Sequence, residues 1–135
     1  METKVIFSAV KTRGCNFEGT ITYDNLVINV GEGFDVRSGS FVVPTSGTYR
    51  LSFSAQSGWR IYDYTLVSVK KNGETTFTIW DSNQKDDANN LSYTWMMNLN
   101  LGDRVSLYSV NHLWADSVGP VTFTGELVNI FPINP

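Results

Sequence analysis

The chain has 135 residues, enough for one domain with a substantial core. Its 10 Lys and Arg against 13 Asp and Glu leave a net charge of −3, which argues against the clustered basic surface of a nucleic-acid binder. No apolar run approaches the ~20 residues that cross a bilayer as a helix, and a single cysteine, Cys15, excludes an internal disulfide.

The opening METKVIFSAV lacks the apolar stretch of a signal peptide. The chain is therefore expected to be cytosolic, or a form whose leader has been removed. Val5, Phe7 and Ala9 alternate with Lys4, Ile6 and Ser8, the period of a half-buried strand. Cys15 reads as a small buried or loop thiol, with an intermolecular disulfide as the alternative; a nucleophile is not expected, since a single histidine in the chain leaves little to activate it. Residues 21–30 are β-rich, and 48–57 alternate Tyr49, Leu51, Phe53 and Ala55 against Arg50, Ser52, Ser54 and Gln56. Residues 64–71 run into Asn72-Gly73, a tight hairpin signal, and 75–80 return; Lys70-Lys71 reads as a solvated strand end.

The clearest alternation is Leu91, Tyr93, Trp95, Met97, Leu99 and Leu101, opposed by polar residues. Gly102-Asp103 then turns the chain into 105–110, and 121–130 form the last strand before a proline-bearing ending. No window of about 12 residues carries a helical stripe. The fold class expected is all-β, an antiparallel two-sheet sandwich or jelly roll.

The spacing of Tyr23, Asn29, Phe34, Phe41, Gly47, Tyr49, Leu51 and Phe53 resembles the signature of the C1q globular domain. That domain shares its jelly roll with the tumour necrosis factor ligands. Tyr23 and Leu51 stand where the family usually has Phe. Later pieces are similar too: the strand ending in Asn72-Gly73, the run Leu99-Asn-Leu-Gly-Asp-Arg-Val105, and Phe123-Thr-Gly125. The resemblance spans roughly residues 5 to 128 in order. It implies one C1q-like globular head over residues 1–131 with a tail at 132–135, and assembly as a homotrimer. Without a Gly-X-Y repeat, the chain reads as a stand-alone head, or as a head whose stem precedes Met1.

In the family topology both termini lie at one end, and four loops cluster at the other: residues 11–18, 57–63, 81–90 and 111–120. In these loops Trp59, Arg60 and Tyr62, and further on His112 and Trp114, have the chemistry of recognition anchors. The plainer alternatives are a Trp59 lid on the core, a surface-loop His112 and a partly structural Trp114. Asp81, Asp86 and Asp87 offer the oxygen ligands that calcium prefers, as in some heads of this family. A solvated acidic loop is the alternative, and no cofactor is required. Asn90-Leu91-Ser92 is a glycosylation sequon at Asn90. The family's protomers meet on the face of one sheet turned away from the core, which implies an interface at Ile6, Thr94, Met96 and Val128.

The function this implies is a secreted recognition module with no membrane insertion. It would bind glycan, microbial-surface or protein ligands through the clustered loops and gain affinity by avidity. A signalling ligand that binds its receptor in grooves between protomers, and a purely structural trimerisation head, are the alternatives. An enzyme is not expected, because the chain has no Ser/His/Asp set, zinc spacing or phosphate loop.

Overall fold

The computed structural model describes residues 3–16, 18–57, 64–82, 90–110, 113–115 and 120–132, with the backbone alone at 14–16, 57, 64, 81–82, 90 and 113–115. The strands are β1 (Ile6–Lys11), β2 (Gly14–Asn16), β3 (Gly19–Thr20), β4 (Asn25–Val30), β5 (Phe34–Asp35), β6 (Ser40–Val42) and β7 (Gly47–Ser57). They continue as β8 (Tyr64–Lys71), β9 (Glu74–Ser82), β10 (Asn90–Leu99), β11 (Arg104–Ser109), β12 (Leu113–Ala115) and β13 (Val121–Ile130).

The first sheet runs β2-β12-β7-β13-β1-β4, with β10 on the other edge of β7. The second runs β5-β6-β11-β8-β9, with β3 also paired to β11. Every pairing is antiparallel. From β7 onward the chain passes to the second sheet for β8 and β9, returns for β10, crosses again for β11 and ends in the first sheet. The molecule is an antiparallel jelly-roll sandwich.

The spaced aromatics meet between the two sheets. Phe7 of β1 stacks on Phe34 at 5.0 Å and Phe41 at 4.6 Å, and meets Phe123 edge-on at 4.9 Å. Each such pair adds about 0.5–1.5 kcal/mol beyond area burial. Asn29 sits across the turn into β5, where its side chain accepts from the Phe34 amide at 3.0 Å and donates to the Phe34 carbonyl at 3.2 Å. Both backbone groups of Phe34 are thereby held by one side chain.

Tyr49 satisfies its hydroxyl by donating to the Thr45 carbonyl at 2.6 Å, and burial pushes its pKa up to about 12. Tyr23 does not. Its hydroxyl is buried with no hydrogen-bond partner among the described residues, and burial raises its pKa well above the ordinary tyrosine value. A buried, unsatisfied hydroxyl costs free energy that a phenyl ring does not. The variant Tyr23→Phe is therefore expected to unfold about 1–2 kcal/mol harder than the natural chain in urea titration. An unchanged or lower midpoint would show that the hydroxyl is satisfied.

Two turns are joined by one carboxylate. Asn72 takes φ 55° and Gly73 φ 85°, the left-handed pair of a tight hairpin. Asp103 accepts from Asn72 Nδ2 at 3.0 Å and from the Asn100 amide at 2.8 Å, while Asn72 Oδ1 accepts from the Arg104 amide at 2.8 Å. Lys71 Nζ stands 3.8 Å from the same carboxylate. The Asn72 bond, then the Asn100 amide, then Lys71 hold its pKa below the ordinary value of 3.8. Its contribution is thus complete above that value and is lost as pH falls through the depressed folded value. Asp103→Ala is expected to cost about 1–2 kcal/mol at neutral pH, with the gap to the natural chain closing in unfolding curves as pH falls below the ordinary carboxylate value and through the depressed folded one.

Two expectations need correction. The strand predicted over 21–30 begins only at Asn25. Residues 21–24 cross from β3 in the second sheet to β4 in the first, guided by Ile21 N–H donating to the Leu107 carbonyl and Asp24 N–H to that of Val10. Leu101, read as the last member of an apolar parity, lies in the turn after β10 and is 69% exposed. Here the Asn100–Asp103 turn outweighs the alternation.

Candidate functional site

The face of the first sheet turned away from the core is built by cross-strand register. One row across β10, β7, β13, β1 and β4 holds Met96, Arg50, Glu126, Ile6 and Val30. The next holds Thr94, Ser52, Thr124, Ser8 and Ile28. The intervening residues of β1, β7 and β10, Phe7, Leu51 and Trp95, are core, and in β4 the intervening Asn29 is part-buried. Period-2 alternation therefore leaves these rows outside the core.

Met96 is 57% exposed at one end of its row, and Val30 and Ile28 are exposed at the far side. Between them Arg50 Nη1 donates to Glu126 Oε1 at 2.7 Å. In the second row the Ser52 and Thr94 hydroxyls share a hydrogen bond of 2.8 Å. A groove of about 280 Å³ opens where short Ser8, Ser52 and Thr124 lie beside longer Ile6, Arg50 and Glu126. Val128 is exposed at the bulge where β13 shifts register between Leu127 and Asn129.

The register thus brings Ile6, Thr94 and Met96 onto one face, with Val128 on the same strand as Glu126. Sequence reading passed over Arg50, Glu126, Ile28 and Val30. For Arg50 and Glu126 the signal was present, since each sits on the parity opposite its strand's core residues; Ile28 and Val30 share the parity of Leu26, which packs against the core, and only the register shift between Ser8 and Ala9 turns them outward.

The other predicted residues are placed less fully. Trp59, Arg60, Tyr62, Asp86, Asp87 and His112 lie outside the described residues. Asp81 is in β9, Asn90 opens β10, Trp114 is in β12 and Cys15 in β2, each described for its backbone alone. The register gathers strand segments that flank or lie in all four loops: Gln56 faces Asn90, Ser57 faces Leu113, Tyr64 faces Ser82, and Leu113 faces Asn16. On the second sheet's outer face Trp80 is 62% exposed, a residue that was not singled out. No set of three His, Cys, Asp or Glu side chains able to hold a metal occurs among the described residues. Nor is any helix among them long and apolar enough to cross a membrane.

Residues 6–128 match the family profile of the C1q domain. The chain belongs to the C1q domain family. This C1q domain is 30% identical over 129 residues to human complement C1q tumor necrosis factor-related protein 3, covering 94% of the chain and 52% of the relative. The mouse protein of the same name matches equally. The C1q domain thus spans about half the length of the curated relatives it matches. Its fold superposes on the globular domain of zebrafish complement 1qA protein with a TM-score of 0.76 at 18% identity, covering 95% of this chain and 99% of that one. It superposes on murine APRIL with a TM-score of 0.75 at 14% identity, covering 93% and 99%. These two likenesses speak to the fold alone.

Proposed function

We propose that this C1q domain is an extracellular recognition head. It assembles as a homotrimer through the outer face of the first sheet and binds glycan, microbial-surface or protein ligands through the loops at one end. The observation that carries the reading is the exposed apolar set Met96, Val30 and Ile28, bracketing an ion pair on one sheet face. A solvent-facing sheet would be expected to carry more charge there, while an apolar centre of this kind supports a protein interface. Family membership supports the threefold arrangement, and three linked sites turn weak single contacts into avid binding. C1q and tumour necrosis factor relatives serve as recognition or signalling modules, which supports binding over catalysis. The acidic residues Asp81, Asp86 and Asp87 are the proposed calcium ligands, repeated three times in the assembly.

Light scattering in calcium and then in a chelator tests this reading. A mass of three times 15.1 kDa is expected. A monomer at every concentration would overturn the assembly. Chelation that leaves both mass and binding unchanged would remove calcium from the reading. The trimer is then applied to a glycan and protein array. Loss of binding in Trp59→Ala and Trp114→Ala variants is expected, and binding that survives replacement of all four loops would overturn the loop assignment.

A further inference from the structure

We propose that Arg50 and Glu126 form an assembly lock, a charge pair that is covered by a second copy of this chain and acts as a single unit. This rests on the assembly reading above. The pair stands in the middle of its row, flanked by Met96 on one side and by Ile6 and Val30 on the other. Its two charges are the only ones in either of the two rows. They lie on adjacent strands as direct cross-strand partners, with the N–O separation at 2.7 Å and each side chain a little under half exposed, at 44% and 46%. They also line the 280 Å³ groove on this face.

Charge decides the kind of partner. Because each charge is neutralised within its own protomer, these two rows carry no net charge and can be covered by an identical face or edge without an opposite patch on the partner. In the isolated protomer, with both groups in water, such a pair does little for folding. Once covered, a lone half becomes an unpaired charge removed from water, and that is strongly unfavourable, whereas joint replacement by apolar residues of similar size is tolerated. The pair therefore leaves folding almost unaffected while controlling which chains can join.

The test compares the natural chain with Arg50→Met, Glu126→Met and the double variant. Assembly is read by light scattering over a concentration series, and folding by thermal unfolding. Each single variant is expected to weaken assembly by about 100-fold or more, with the double variant returning to within about 10-fold of the natural chain. Unfolding midpoints should move by only a few degrees, about what an exposed pair allows. A second comparison sets Arg50→Glu and Glu126→Arg singly against the swap that carries both, and the swap should recover assembly lost in each single. Single variants that assemble as well as the natural chain would overturn the lock and leave the assembly intact. A natural chain that stays monomeric would overturn both readings.

Discussion

Replacing Gly125 with alanine is expected to lower the thermal unfolding midpoint by on the order of 10 °C. Gly125 lies in β13 between Phe123 and Leu127, directly opposite Phe7 on one side and Leu51 on the other. Its position points into the core. A Cβ there would stand 2.6 Å from Leu51 Cδ2 and inside contact distance of the Phe7 ring. Neither neighbour can retreat: Leu51 is fully buried, and Phe7 is packed against Phe34, Phe41 and Phe123. Overpacking of this kind costs about 1–3 kcal/mol, and moving Phe7 would disturb all three ring contacts. Differential scanning calorimetry reads the result. A midpoint within ~2 °C of the natural chain would show that the core can yield around Phe7.

Replacing Met96 with lysine is expected to dissociate the assembly and leave the protomer folded. Met96 is more than half exposed in the protomer, so the change should shift folding stability by no more than about 0.5 kcal/mol. In the assembly the same residue would place three unpaired ammonium groups in covered surface, which weakens association by several kcal/mol. The mass in light scattering should fall to one third across the working range, with an unchanged unfolding curve from the separated protomer. Ser106→Lys, on the outer face of the second sheet, serves as the comparison and should leave the mass unchanged. If Met96→Lys keeps the full mass, the interface lies elsewhere on the molecule.

Long strands were legible in the sequence because alternation over eight or more residues has a single reading. The span 64–71 is β8 and 121–130 is β13, and the edges of β7, β9, β10 and β11 differ by one or two residues. The strands β3, β5 and β6 were not foreseen, since two or three residues carry no periodicity. Asn72-Gly73 was readable as a hairpin from local backbone preference alone. Its tie to Asp103, thirty-one positions away, was not, because that contact depends on two turns arriving at the same place. The candidate face was partly legible: Met96 stood out as an apolar residue on a polar parity. Arg50 and Glu126 were passed over, because only the β7–β13 register makes them a pair.

The sequence by itself determined the fold class, the hairpin, the strand parities and, through the spaced aromatics, the family. Those features depend on local periodicity and backbone preference, which neighbouring residues express wherever they lie. Only the tertiary structure decided which side chains share a row, why Gly125 must lack a side chain, and why the Tyr23 hydroxyl is a burden where a phenyl ring would not be. Those are contacts between strands distant in the chain, and their energies exist only once the two sheets close on one core.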